Sequence, residues 1–89
     1  MALYVQKFGG TSVGTPERIE AVAEQVIQTV HAGHKVVVVV SAMAGETNRL
    51  LGLAHQIDSR PSTRELDMLA ASGEQVSIAL LAMALIKRG

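Results

Sequence analysis

Between residues 2 and 8, apolar and polar side chains roughly alternate, with Leu3, Val5 and Lys7 on one parity, which is the period of a β-strand. From Thr15 the period becomes helical: Ile19, Val22, Ala23, Val26, Ile27 and Val30 fall on one face. Thr15 is placed as N-cap, Pro16 at the first helical position and Glu17 in the first turn, while Gly33 is placed to end the helix. Lys35 to Ser41 follows, with five consecutive valines at 36–40. Such a β-branched run predicts a strand buried on both faces, as in a parallel sheet. Strand, helix, strand at this spacing predicts a right-handed βαβ unit. Both strands then end at one sheet edge, where ligands of open α/β sheets bind.

The second half reads as helical. A helix is predicted from about Glu46 to Ile57, with Leu50, Leu53, Ala54 and Ile57 turned inward. Asp58-Ser59-Arg60-Pro61 breaks the chain, and Ser62-Thr63-Arg64-Glu65 has the form of a capping box for a third helix. Ser72-Gly73-Glu74-Gln75 repeats that form, which predicts a break near Ser72-Gly73 and a new helix from Glu74 to about Lys87. In that segment Val76, Ala79, Leu80 and Met83 share one face, and Ile78, Leu81, Leu85 and Ile86 make the remainder nearly apolar. A helix apolar all round has to be buried. Two parallel strands do not make a self-sufficient sheet, so the pattern is expected of the front part of a larger α/β domain.

Composition narrows the function. Lysine plus arginine balances aspartate plus glutamate at eight each, and the only aromatic residues are Tyr4 and Phe8. Without a basic run or stacking platforms, no nucleic-acid partner is expected. Cysteine is absent, which excludes disulfides and thiolate metal sites. His31, His34 and His55 fit no metal-ligand pattern. The N-terminus lacks the form of a secretion signal. The longest apolar run falls short of the roughly 20 residues that cross a bilayer. A cytoplasmic location without a membrane partner is the expectation.

The candidate chemistry lies between the first strand and the first helix, at Lys7-Phe8-Gly9-Gly10-Thr11-Ser12-Val13-Gly14. Glycines let the backbone approach a phosphate with its N–H groups inward, and a helix N-terminus adds partial positive charge. Lys7 adds a full charge, and Thr11 and Ser12 add hydroxyl donors. A Walker loop places its lysine after the glycines, and the dinucleotide fingerprint needs Gly-x-Gly-x-x-Gly; neither fits. Gly10-Thr11-Ser12-Val13-Gly14 matches the nucleophile-elbow pattern, but all three histidines precede Asp58 and Asp67, the wrong order for that triad. A phosphate cradle is the reading that remains.

Lys7–Gly14 also resembles the opening signature of aspartate kinases, within the amino-acid kinase superfamily. Val37-Val38-Val39-Val40-Ser41-Ala42-Met43 followed by Thr47, and later Ser72-Gly73-Glu74, are similar to further motifs of that family in the same order. One departure is Ala44-Gly45-Glu46, where the family often has glycine and then polar residues. The resemblance implies a three-layer α/β/α sandwich, present over residues 1–89 as the N-terminal β-α-β-α-α part of the catalytic domain. The rest of that domain and the regulatory ACT domains would lie outside these residues, which alone would be inactive. It implies ATP, Mg2+ accompanying ATP, and phosphorylation of the L-aspartate side-chain carboxylate to 4-phospho-L-aspartate. That is the first step towards lysine, threonine and methionine. Lys7 would contact the transferring phosphates, and Phe8, Gly9, Gly10, Thr11, Ser12 and Ser41 would line the nucleotide. Thr47, Asn48, Arg49 and Glu74 would face the amino-acid substrate, although Glu74 at a helix start is also explained by the helix dipole alone. The remaining catalytic domain, and an oligomer built through the regulatory domains, are the implied protein partners. The alternatives are a kinase of acetylglutamate or glutamate, and a non-catalytic anion-binding module.

Overall fold

The structure is a computed structural model and describes residues 1–89. Its elements run β1 (Leu3–Phe8), α1 (Pro16–His31), β2 (Lys35–Val40), α2 (Glu46–Ile57) and α3 (Thr63–Ile86). β1 and β2 pair in parallel, with Lys7 opposite Val39 and Phe8 opposite Val40. The α1 boundaries follow the sequence signals: Thr15 Oγ1 accepts from the Arg18 amide at 3.2 Å, and Gly33 takes φ +92° just past the end. Lys35 N donates to Ala2 O at 2.9 Å, which sets the start of the ladder.

Both α1 and α3 pack on β2, and the core lies between them. It comprises Val13, Ile19, Val22, Ala23, Val26, Val40, Leu81 and Ala84, with Phe8, Val36 and Val38 half-buried against it. The expectation that β2 is buried on both faces is not met. Its burial alternates: Val36, Val38 and Val40 are covered, while Val37 and Val39 are 49% and 43% exposed. Leu3 and Val5 on β1 share that bare face. Within these residues the helices that pack on β2, α1 and α3, cover one face, and no element covers the other, so half of the valine run is left bare.

The predicted break at Ser72-Gly73 does not occur. α3 is one helix of 24 residues. The Ser72 hydroxyl donates back to Met68 O at 2.9 Å, so it is satisfied inside the helix instead of capping a new one. Gly73 is buried where α3 meets its neighbours, and a Cβ there would stand 3.0 Å from the Ala42 methyl and 3.7 Å from Leu50 Cδ1. The glycine serves close packing, which offsets its cost of about 1 kcal/mol in a helix. The buried face of α3 is Gly73, Ser77, Leu81 and Ala84, so a helix expected to be buried all round is covered on one side only. The first capping box is also only half realised: Ser62 is the N-cap, yet its side chain makes no capping bond.

α2 packs on α3. Leu50 and Ala54 are half-buried, but Leu53 and Ile57, expected inward, are exposed. α3 is long and apolar enough to cross a membrane by length and composition, contrary to the expectation that no segment is. It packs on α1, α2 and β2, but only 22% of its apolar stretch is buried there, and Val76, Ile78, Met83 and Ile86 stay exposed.

Candidate functional site

The βαβ geometry delivers the ends of β1 and β2 to one edge, and the two following loops meet there. The first loop leaves β1 at Phe8, turns with Ser12 N donating to Gly9 O at 3.0 Å, and is pinned by Val13, which is fully buried. The second leaves β2 at Val40, with Ser41 N donating to Phe8 O at 3.1 Å. Ala44 N donates to Gly10 O at 3.1 Å, so the loops are directly hydrogen-bonded. A Cβ on Gly10 would stand 2.9 Å from Ala42 O, a backbone atom that cannot yield, so close approach of the two loops requires this glycine. Gly45 then enters the left-handed region at φ +81° and starts α2 without a side-chain cap. This settles the shape of the Ala44-Gly45-Glu46 segment.

Ala42 is the hub. Gly10 approaches it from the first loop and Gly73 from α3. The three motifs, 7–14, 37–47 and 72–74, are thereby brought to one place, although they lie far apart in the chain. Nothing in the sequence marked Ala42 beyond its place in the motif. The signal was the pair of glycines that close on it, Gly10 on its carbonyl oxygen and Gly73 on its methyl group.

Individual side chains divide by role. Phe8 turns its ring to the core, whereas Lys7, on the opposite parity, is exposed and forms no ion pair. Thr11 is exposed, and Ser12 and Ser41 are half-buried. Gly9 has an ordinary φ, and a Cβ there would meet nothing within 4 Å. Thr47 is half-buried and Asn48 exposed in the first turn of α2. Thr47 and Asn48 backbone N–H groups have no acceptor in the chain. Glu74 is exposed and unpaired, and because α3 begins at Thr63 it stands in mid-helix. The dipole account of its presence therefore no longer applies.

Arg49 is not free. Its Nη2 and Nε donate to the Glu46 carboxylate at 2.7 and 3.0 Å. That hydrogen bonding holds the Glu46 carboxyl below the usual range and raises the already high Arg49 value. Glu46 was passed over in the sequence, where its spacing of three from Arg49 was the available signal.

The loops form an open ledge. The cleft beside them, about 230 Å³, is lined by Phe8, Ser12, Arg18 and Gln25 among others. A larger hollow of about 290 Å³ lies between α1 and α3, lined by Ile19, Glu20, Leu80 and Met83, and contains none of the motif residues. The motif chemistry, not the hollow, defines the candidate site.

Comparison with known proteins identifies the family. The sequence profile of the amino acid kinase family matches residues 2–89. The chain is 71% identical to an aspartokinase of Pseudomonas aeruginosa and 61% identical to one of Geobacillus stearothermophilus, each over its whole length. It spans only 22% of the length of either relative. The crystal structure of an aspartate kinase from Synechocystis superposes with a TM-score of 0.93 at 60% identity, covering 96% of this chain and 14% of that one.

Proposed function

The chain belongs to the amino acid kinase family, and from that premise we propose that it forms the N-terminal part of the catalytic domain of an aspartate kinase. The activity is transfer of the terminal phosphoryl group of ATP to the side-chain carboxylate of L-aspartate. The observation that carries this reading is the convergence of all three motifs on Ala42. It is supported by the names of the relatives, aspartokinases matched over the full length of this chain.

The first loop suits phosphate. Gly9 needs no glycine for its own φ or packing, so its open backbone leaves room for a ligand. Lys7 is uncommitted, and hydroxyls of Thr11 and Ser12 stand in the same turn. This donor set is cationic and hydroxylic, and no group of three carboxylate or imidazole side chains accompanies it. Mg2+ would therefore arrive with the nucleotide, supplying charge neutralisation between phosphates.

The nucleophile is a carboxylate, already ionised near neutral pH, and requires no general base. What this chain contributes is positioning and positive charge. Lys7 neutralises charge on the transferring group. Ser41 stands where nucleotide and acceptor meet. Thr47 and Asn48, with their free N–H groups, and Glu74 face the amino acid, Glu74 binding its ammonium group. The substrate is aspartate rather than glutamate or acetylglutamate on the strength of Thr47, Ser72-Gly73-Glu74 and the named relatives. In this reading the protein acts in the cytoplasm, in lysine, threonine and methionine synthesis, as an oligomer built through regulatory domains of the full-length enzyme.

Steady-state kinetics of Lys7→Ala in the full-length enzyme test the cradle. Loss of one preorganised donor to the transition state should lower kcat roughly 10²–10³-fold, about 3–4 kcal/mol, with an unchanged thermal melt. Lys7→Arg should recover little, because a planar fork does not replace a compact ammonium beside tightly turned glycines. Near-normal kcat in a well-folded Lys7→Ala enzyme would refute the role assigned to this lysine.

A further inference from the structure

Arg49 and Glu46 share the first turn of α2, one on each side of the free Thr47 and Asn48 amides. A glutamate in that turn is favoured by the helix dipole, and an exposed i,i+3 pair adds a little stability. Two details go beyond that. First, Glu46 is not a free surface acid: its side chain is 27% exposed, and its Cγ lies 3.7 Å from where a Cβ of Gly73 would be. Its stem packs across the space Gly73 leaves. Second, the pair uses one edge of the guanidinium, Nε and Nη2. A guanidinium has five N–H donors, so both Nη1 hydrogens and the second Nη2 hydrogen stay free, on a side chain that is 59% exposed.

We propose that Glu46 is a positioning residue, which holds Arg49 so that the open Nη1–Nη2 edge binds a carboxylate of the acceptor substrate. The inference rests on the aspartate kinase reading and extends it to Glu46, to which that reading assigns no role. An arginine has many rotamers, and ordering it upon substrate binding weakens affinity. Glu46, itself wedged between α2 and α3, imposes that order beforehand. The side-on pair leaves the end-on fork, which also presents two parallel N–H donors, for a second carboxylate.

The test uses the full-length enzyme and initial rates with aspartate and ATP varied separately. Glu46→Gln keeps size and removes the charge. It should raise KM for aspartate about tenfold while kcat and KM for ATP stay within about twofold. Arg49→Gln should raise KM for aspartate at least as much, and Arg49→Lys should not restore it. Glu46→Asp, which keeps the charge, should recover part of the loss. The double variant Glu46→Gln/Arg49→Gln should be no worse than Arg49→Gln alone, because Glu46 acts through Arg49. An unchanged or lowered KM in Glu46→Gln, or multiplying effects in the double variant, would overturn the proposal. If the wild type itself fails to phosphorylate aspartate, the functional reading beneath it falls as well. A wild type active on aspartate with a silent Glu46→Gln sinks this inference alone.

Discussion

Gly73 and Glu74 are adjacent in the chain, yet the fold assigns them opposite tasks. Gly73 is buried against Ala42 and α2, while Glu74 is exposed and unpaired on the same helix turn. With α3 running unbroken from Thr63, neither a cap nor a helix start accounts for Glu74. Glu74→Gln in the full-length enzyme should therefore weaken aspartate much more than ATP. Loss of a hydrogen bond to a charged group is worth about 1.5–3 kcal/mol, so KM for aspartate should rise on the order of 10–100-fold. Equal rises in both Michaelis constants would remove Glu74 from the acceptor site. At this scale the sequence was informative at Gly10, whose place between strand and helix pointed to a close backbone approach, and the structure has that approach, to Ala42 O. It was silent on Ala42 and Glu46, because an alanine and a surface-type acid carry no mark of what packs against them.

Among the elements, β1, α1, β2 and α2 were legible to within a residue or two, because each has a clear period and punctuation such as Thr15-Pro16 and Gly33. α3 was misread at its middle. Ser72-Gly73-Glu74-Gln75 is locally a capping box, and only the contact with Ala42 reveals that the glycine is there for a neighbour. A nearly all-apolar helix also hides which face it buries. α3 is further tied to α1 at its end: Lys87 donates to Glu20 at 2.7 Å, and Arg88 pairs with both Glu20 and Glu24. The Lys87 and Arg88 hydrogen bonds hold the Glu20 carboxyl below its ordinary value. A depressed folded pKa gives stability that is present above the unfolded value, about 4.3, and lost as pH falls through the folded one. Amide exchange in the last turn of α3 should thus be faster in Glu20→Gln than in wild type near neutral pH. The gap should shrink steadily below pH 4 and narrow at high salt, since these groups are exposed. A gap that stays constant down to about pH 2 would mean the ion pairs do not hold this helix end.

As a whole the molecule is elongated and thinly buried. Its radius of gyration is 15.4 Å, against about 12 Å for a compact chain of this length. Only 11 of 89 residues are buried, and one face of the sheet, with Leu3, Val5, Val37 and Val39, is bare. The sequence announced that two strands are too few, but the side left open depended on where α1 and α3 settle. In the proposed reading the remainder of the catalytic domain covers that face and brings the other half of the site. Trapping of acyl phosphate with hydroxylamine tests this account most directly. The full-length protein is incubated with Mg-ATP and, in turn, L-aspartate, L-glutamate and N-acetyl-L-glutamate, and the 89-residue chain is assayed in parallel with L-aspartate. The account predicts hydroxamate from the full-length protein with aspartate, near-background product with the other two acceptors, and none from the chain alone. Product with glutamate or N-acetylglutamate in place of aspartate, or no product from any acceptor, would contradict it.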